Sequence, residues 1–285
     1  MASLRDLRDR IKSLKNTQQI TKAMKQVAAA KIRRAELLRS QSRPYADAMS
    51  DMLRELIDAV GMVDHPFMKP GKAGAPAGVI LMTADKGLAG SFNSNVISSA
   101  DAYSREAEGG VKWYSVGVKG RNHVRRRAEI EQYWPQSAGV KIDVAREIAH
   151  KVGDDFVAGK ISKIVLITQK LVSTMVQRPE QRELVPITRE KREEKGGPRG
   201  AVEFEPSPEA VLSKLLPKYL EFTVYSAMLE TDAAFFAAQL IAMSNATDNA
   251  GKIIDEITLE MNKARQAAIT KEILEIVGGA EALAS

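Results

Sequence analysis

The sequence predicts an α/β protein: an antiparallel coiled coil of long N- and C-terminal helices, with a Rossmann-like α/β domain inserted between them. Three observations support this fold class. Residues 218–250 and 252–277 contain neither glycine nor proline. Apolar residues recur in both terminal segments at spacings of three and four, which is typical of helices that pack against a partner helix. Between these segments, short apolar runs alternate with helical patterns, as in parallel α/β sheets.

Composition and charge limit the classes of function. The 285 residues include no cysteine, which excludes disulfides and thiolate metal sites. No apolar run approaches 18 residues, so we expect a cytoplasmic protein that meets a membrane only through partners. Residues 1–43 carry twelve Lys and Arg against three acids, a net charge of +9, whereas the whole chain carries +6. Such a basic block fits nucleic acid, anionic lipid or an acidic protein surface, and charge alone does not choose among them.

The N-terminal helix is predicted from residue 3 to about residue 58. Ser3 is a candidate N-cap, and Asp6 stands three residues later, close to a capping box. Pro44 predicts a kink or a short break, because proline removes a helix hydrogen bond and clashes with the preceding turn. The predicted apolar stripe consists of Leu4, Leu7, Ile11 and Leu14, then, one residue out of phase, Ile20, Met24 and Val27.

The middle of the chain reads as a small, mostly parallel sheet with helices between its strands. We predict strands at 78–83, 111–118 and 161–168, an edge strand at 180–187, and helices at 91–106, 120–128 and 140–158. The charged, glycine-rich residues 188–200 are predicted to be a mobile loop, and residues 202–205 a short extended segment. These elements divide the chain into an N-terminal helix (1–60), an inserted lobe (61–206) and a C-terminal helix (207–285).

The C-terminal helix is predicted to run from Pro208 to Val277. About 70 helical residues at about 1.5 Å each span on the order of 100 Å, far more than a compact domain needs. Its predicted apolar stripe consists of Ile254, Ile257, Met261, Ala264, Ile269, Ile273 and Ile276. A helix of this length points to a mechanical role before a chemical one.

Motifs of catalysis are missing from the sequence. Neither of the glycine-rich phosphate-binding patterns occurs, and the nearest approach, residues 85–90, has only two glycines and is typical of a tight turn at a strand end. The three histidines lie far apart and lack the spacing of metal ligands. We therefore expect no catalytic, cofactor-binding or metal-binding residues and no cofactor.

Four segments carry a resemblance to a known family. Residues 257–280 (ITLEMNKARQAAITKEILEIVGGA) resemble the C-terminal signature of the γ subunit of F-type ATP synthase. Residues 20–31 (ITKAMKQVAAAK) are similar to that family's matching N-terminal helix. Residues 83–93 (TADKGLAGSFN) and 245–250 (NATDNA) resemble two further blocks of the family. The resemblance runs through essentially the whole chain, in order.

The resemblance implies a non-catalytic rotor. One copy of the chain would place its paired helices inside a ring of three α and three β subunits. Its lobe would stand on the membrane ring of c subunits beside the ε subunit, as a peripheral protein at the cytoplasmic face of a bacterial inner membrane. Proton flow would turn the c ring, and the asymmetric pair of helices would drive each β site in turn through different nucleotide affinities.

The resemblance also implies roles for individual residues. Met24 and Lys25 would face an acidic lever of β, and Arg265, Gln266 and Thr270 would form a polar catch with loops of the α/β ring. The segment 273–277, with Ile273, Ile276 and Val277, would lie in an apolar sleeve at the top of the ring. Phe204 and Glu205 would lie at the foot, toward the c ring and ε. Met24 is equally well explained as packing within the helix pair.

Two other classes of function remain as alternatives. A basic coiled-coil protein that binds nucleic acid would bind DNA with an affinity that falls steeply with salt. Residues 1–43 contain no aromatic residue, which speaks against that class. An α/β enzyme with helical dimerisation arms would be stabilised by a nucleotide. The missing phosphate-binding motif speaks against an enzyme.

Overall fold

A computed structural model of the chain describes residues 3–60, 65–136, 140–187, 205 and 207–284, and all of their side chains except those at 59, 60, 208 and 279–284. The helices are α1 (Leu4–Val60), α2 (Phe92–Glu106), α3 (Val118–Val124), α4 (Ile142–Val157) and α5 (Pro208–Ala284). The strands are β1 (Ala77–Met82), β2 (Val111–Val116), β3 (Ile130–Trp134), β4 (Lys163–Ser173) and β5 (Val176–Val185). A short 3₁₀ turn occupies Pro66–Met68.

The chain divides into two compact units. The first, the helix-pair unit, combines Met1–Ala28 with Gln239–Ser285, and the second, the lobe unit, is Ala29–Ala238. Both α1 and α5 contribute residues to both units. The predicted three-part division at 1–60, 61–206 and 207–285 follows segments of the chain rather than compact units, and it stays a prediction.

Both ends of α1 match the sequence pattern, and its middle contains Pro44 without a break. The Ser3 backbone N–H donates to Asp6 Oδ2 at 3.1 Å, and the Asp6 N–H donates to Ser3 Oγ at 3.2 Å, so the predicted capping box is present. The helix continues through Pro44, so the break that Pro44 allowed does not occur. Next to it, Tyr45 packs on Phe222 of α5 with ring centroids 4.5 Å apart. A contact of this kind offsets the lost backbone hydrogen bond.

The lobe unit contains a five-stranded sheet in the order β3-β2-β1-β4-β5. Strands β1 to β4 pair in parallel, and β5 pairs antiparallel with β4. Helices α2, α3 and α4 connect consecutive parallel strands, which is the arrangement of a Rossmann-like half. The predicted mostly parallel sheet is therefore confirmed.

Alternate residues of the central strands build two apolar layers. One layer joins Ile80, Leu166 and their neighbours to buried side chains of α4 and α5. The other joins Val79, Ile167 and their neighbours to buried residues of α2 and α3. All six residues of β1 are buried, as expected for a central parallel strand that is covered on both faces. The lobe thus rests on the long helices through one face of its sheet.

The sequence patterns missed one strand and misplaced another. Strand β3 was not predicted, because its half-exposed residues IEQYW form no apolar run. The antiparallel edge strand β5 begins at Val176, four residues before the predicted start, and it contains Pro179, which an edge strand tolerates. Residues 188–200 and the extended segment at 202–204 lie outside the described part of the chain.

Candidate functional site

The helix-pair unit is built from the beginning of α1 and the end of α5, which run antiparallel. Gln18 Nε2 donates to the Thr247 carbonyl oxygen at 3.4 Å, and Thr247 Oγ1 donates to Thr21 Oγ1 at 2.8 Å. Further along α1, Lys25 Nζ donates to Ser244 Oγ at 2.9 Å. The partner position on α5 moves backward as α1 advances, so the predicted antiparallel pairing is confirmed.

The buried seam of this pair is made of small and apolar side chains. Ala28 and Ala250 are buried and leave room for the helices to approach closely. At Gly251 a Cβ would lie 3.0 Å from Gln18 Nε2, the end of a flexible side chain. Leu7, Ile254 and Ile257 are buried on the same seam. The seam therefore combines small buried side chains with larger buried aliphatic ones.

Part of the predicted stripe of α1 points away from the seam. Ile20 and Val27 are 60% and 53% exposed, so their assignment to the seam was wrong. Thr21 and Ala28, one position further along, are the buried residues. A buried threonine does not register in an apolar pattern, although its hydroxyl accepts the Thr247 hydrogen bond. Ile20 and Val27 therefore remain as apolar surface on α1.

Met24 and Lys25 lie at the border between seam and surface. Both are half-buried, which is the exposure expected of side chains at the edge of a helix pair. The ammonium group of Lys25 is engaged by Ser244 within the same unit. The structure thus gives Lys25 a contact inside the chain, and an interaction of either residue with another subunit stays a prediction.

Arg265, Gln266 and Thr270 are exposed on α5. Gln266 and Thr270, four residues apart, are neighbours on one helix face, and Arg265 precedes Gln266 by one residue. Nearby Ala264 and Ala268 are half-buried. The three residues predicted to form a polar catch are therefore exposed near the end of the seam, and their binding role stays a prediction.

The apolar stripe of α5 continues past the start of α1. Position 247 lies opposite positions 18 and 21, and an antiparallel partner that begins at Leu4 reaches only to about position 264 at equal rise. Beyond that point Ile273, Ile276 and Val277 are 54%, 71% and 51% exposed. Leu274 is 66% exposed and Ile269 is 48% exposed. Within the described residues, this apolar end of α5 has no cover.

The predicted foot residues are only partly described. Glu205 is exposed. Phe204 lies outside the described residues. The proposed contact of this pair with other subunits stays a prediction.

Exposed cations line the beginning of α1. Within the helix-pair unit these are Arg5, Arg8, Arg10, Lys12, Lys15 and Lys22. Among the described residues of this segment, Lys25 is the one cation that forms a hydrogen bond to α5. The basic block therefore presents its charge outward.

The segment after β1, residues 83–90, is held rigidly against the lobe. Asn93 accepts a hydrogen bond from the Ala84 N–H at 3.0 Å and donates one to the Lys86 carbonyl oxygen at 3.2 Å. Asp85 Oδ1 accepts from the Val118 N–H at 2.9 Å. Within this segment, Leu88 is exposed and adopts a positive φ of 61°. These hydrogen bonds hold the segment against the lobe, as expected of a turn, although Asp85 Oδ2 is buried without a hydrogen-bond partner among the described residues.

Two buried carboxylates of the lobe were not singled out by the sequence patterns. Asp155 accepts hydrogen bonds from Tyr114 Oη at 2.7 Å and from Lys160 Nζ at 2.9 Å, and it pairs with Lys151 Nζ at 2.8 Å. Burial alone would raise the pKa of Asp155, but these three donors outweigh burial and lower its pKa to about 2. Burial and the bond to Asp155 raise the pKa of Tyr114.

The second buried carboxylate, Glu221, links α5 to α4. A signal for both residues was present in the sequence. Asp155 follows Val152 by three residues on the apolar face of α4, and Glu221 follows Leu220 within an apolar stripe of α5. A charge at such a position indicates a buried polar link, because an unpaired buried charge is costly.

No described helix has both the length and the apolar character that a bilayer crossing requires. Taken together, the fold and the exposed surfaces define a two-helix coiled coil that carries a Rossmann-like domain. The family model described as ATP synthase matches residues 3–283. This places the chain among the subunits of the ATP synthase complex.

Curated relatives identify the subunit. An ATP synthase gamma chain of Desulforamulus reducens is 45% identical over 285 residues, which cover 99% of this chain and 100% of the relative. The gamma chain of Pelotomaculum thermopropionicum is 46% identical over 99% of this chain and 100% of the relative. The chain therefore belongs to the ATP synthase gamma chain family. Nothing in these comparisons supports a nucleic-acid-binding protein.

Solved structures share the fold. A chain from the OSCP/F1/c-ring structure of Euglena gracilis mitochondrial ATP synthase matches with a TM-score of 0.71 and 17% identity, over 98% of this chain and 94% of that chain. A chain from the central stalk/c-ring structure of Tetrahymena thermophila mitochondrial ATP synthase matches with a TM-score of 0.60 and 23% identity, over 80% of this chain and 99% of that chain. The predicted fold class is confirmed.

Proposed function

We propose that this chain is the non-catalytic central rotor of a proton-translocating F-type ATP synthase. One copy would stand inside a ring of three α and three β subunits, with its lobe beside the ε subunit on the c ring. The complex would lie at the cytoplasmic face of a bacterial inner membrane, which the chain would touch only through its partners. The full-length match to bacterial gamma chains supports this proposal.

The exposed apolar end of α5 is the observation that carries the proposal. Ile273, Ile276 and Val277 are more than half exposed, although they continue a stripe that is buried further back along α5. Five exposed apolar residues on consecutive turns of one helix are costly in water, so this end calls for an apolar partner surface. A sleeve formed by a ring of subunits would supply that cover.

Coupling would follow from unequal contacts around the helix pair. A rotor that touches three equivalent sites differently stabilises a different conformation in each of them. In this proposal Arg265, Gln266 and Thr270 bind loops of the α/β ring, and Met24 and Lys25 face an acidic lever of β. The outward-facing cations of α1 suit an acidic partner surface. Phe204 and Glu205 would complete the foot.

The direct test is reconstitution with the α and β subunits of one of the matched bacteria. We expect size-exclusion chromatography to show one copy of this chain eluting with three αβ pairs, and the purified complex to hydrolyse ATP. A chain that elutes alone at both low and high salt would contradict the rotor function.

A charge reversal tests the contact of α1 with the ring. In the reconstituted, membrane-bound enzyme, Lys22→Glu with Lys25→Glu is expected to lower ATP-driven proton pumping per ATP hydrolysed by about twofold or more, since like charges would then face each other. Proton pumping is followed by quenching of a pH-sensitive dye, and hydrolysis by phosphate release.

The matched control is Arg33→Glu with Arg34→Glu, which makes the same charge change on exposed positions of the same helix. Because Lys25 also bonds Ser244, Lys22→Glu alone separates the partner contact from the contact inside the helix pair. Unchanged pumping in the Lys22/Lys25 variant would show that these residues do not meet an acidic lever.

A further inference from the structure

The lobe is joined to α5 by a buried carboxylate. The side chain of Glu221 is only 7% exposed. His150 Nε2 lies 3.1 Å from its Oε1, and Arg146 Nε lies 3.5 Å from its Oε2. Lys218 of α5 donates to both oxygens at 3.0 Å. Since Arg146 and His150 both belong to α4, this carboxylate ties α4 to α5.

A second polar link joins β4 to α5. The hydroxyls of Thr168 and Thr231 form a short hydrogen bond, and both residues are almost completely buried. Thr231 donates to the Ala227 carbonyl oxygen at 2.7 Å, so Thr168 is the donor of the bond between the two threonines. The link therefore depends on the Thr168 hydroxyl.

The two links lie at different heights on α5. Ten residues separate Glu221 from Thr231, which corresponds to about 15 Å along a helix. The packing between them is apolar, and apolar packing is not directional. Hydrogen bonds and buried ion pairs have fixed geometry and are costly to leave unmade. Two such links resist both sliding and rotation of the lobe about α5.

We propose that Glu221 and Thr168 are positioning residues that fix the lobe to α5 and thereby transmit torque between them. The inference rests on the proposed rotor function, because torque enters through the lobe and leaves through the long helices. Glu221 acts through Arg146 and His150 on α4, and Thr168 acts through Thr231 on α5. Loss of either link makes the connection more compliant while leaving the apolar packing in place.

The experiment measures the torsional stiffness of the reconstituted complex. The chain has no cysteine, so Asn122→Cys on the exposed surface of α3 gives one attachment point for a bead on the lobe. The α/β ring is fixed to a surface, and the angular variance of the bead is recorded while the enzyme waits for ATP. We expect Glu221→Gln and Thr168→Val each to increase this variance by about twofold.

Both variants keep the shape of the original side chain. Glu147→Gln, on an exposed position of α4, and Thr174→Val, on the exposed hairpin turn, are the matched controls and are expected to leave the variance unchanged. Thermal unfolding of each variant shows whether its lobe is folded at the assay temperature. If Glu221→Gln does not fold, Thr168→Val decides, since Thr231 keeps its bond to the Ala227 carbonyl oxygen.

Stiffness equal to that of the wild type in the folded variants would overturn the proposal. A lower melting temperature without a wider angular distribution would assign these residues to stability alone and would likewise overturn it. Failure of the proposed function is distinguishable, because the wild-type chain would then not assemble or rotate at all.

Discussion

Asp155→Asn is expected to lower the free energy of unfolding by about 3 kcal/mol at pH 7, because a neutral amide replaces the charged acceptor that one hydroxyl and two ammonium groups share. The side chain of Asp155 is only 3% exposed, and it joins Tyr114 of β2 to Lys151 of α4 and to Lys160. The substitution keeps the shape of the side chain and removes its charge. Urea unfolding of the purified chain measures the loss.

The neighbouring residue provides a matched control. Asp154 is exposed, so Asp154→Asn makes the same chemical change one residue away without touching the buried network. We expect that control to change the free energy of unfolding by less than about 0.5 kcal/mol. Equal losses in the two variants would show that net charge, not the buried network, is responsible.

The dependence of stability on pH is a second test of the role of the Asp155 carboxylate. The pKa of Asp155 is lowered from 3.8 to about 2 in the folded chain, so its contribution is complete above pH 3.8. That contribution is lost as the pH falls from 3.8 to about 2, because in this range the unfolded chain binds a proton at Asp155 that the folded chain does not. The difference between wild type and Asp155→Asn should therefore shrink over this range. A difference that does not depend on pH would contradict a role of the charge.

The sequence predicted the elements whose patterns are long and regular. Both terminal helices begin and end within a few residues of their predicted limits, except that α5 extends to Ala284. Local propensity and one-sided burial agree in such segments. Strand β3 was missed because an edge strand needs no apolar run. The break allowed at Pro44 is absent, because packing of the flanking helix outweighs one lost hydrogen bond.

The candidate site was predictable to a lesser degree. The apolar end of α5 is exposed because α5 extends beyond the start of its partner α1. Which residues extend beyond α1 can be read from the sequence only when the residue-by-residue alignment of the two helices is known. The register itself depends on polar bonds of Thr21 and Lys25 to α5, which no apolar pattern registers. For the same reason the partners of Asp155 and Glu221 could not be predicted from the sequence. A carboxylate near an apolar stripe indicates a buried polar contact, but only the fold shows which donors lie beside it.

Gly117→Ala is expected to be the most disruptive small substitution in the lobe. Gly117 connects β2 to α3 with a φ of +90°, and a Cβ built there would lie 2.0 Å from the Thr83 carbonyl oxygen. A backbone atom cannot move aside as a flexible side chain does. We therefore expect a loss of more than about 3 kcal/mol in the free energy of unfolding, or a lobe that does not fold.

Gly110→Ala separates backbone strain from collision. Gly110 also has a positive φ, of +81°, but its Cβ would meet no atom within 4 Å. Gly110→Ala should lower the free energy of unfolding by only about 1–2 kcal/mol, which is the cost of placing alanine in the left-handed conformation. In Gly117→Ala, the collision with Thr83 should also disturb the segment that follows Thr83. The Ala84 and Val118 amides donate to Asn93 and Asp85, so their hydrogen exchange should accelerate in Gly117→Ala and not in Gly110→Ala. Equal destabilisation of the two variants, with exchange at these amides unchanged, would mean that conformational strain is the whole effect and that β2 does not hold the segment after β1 in place.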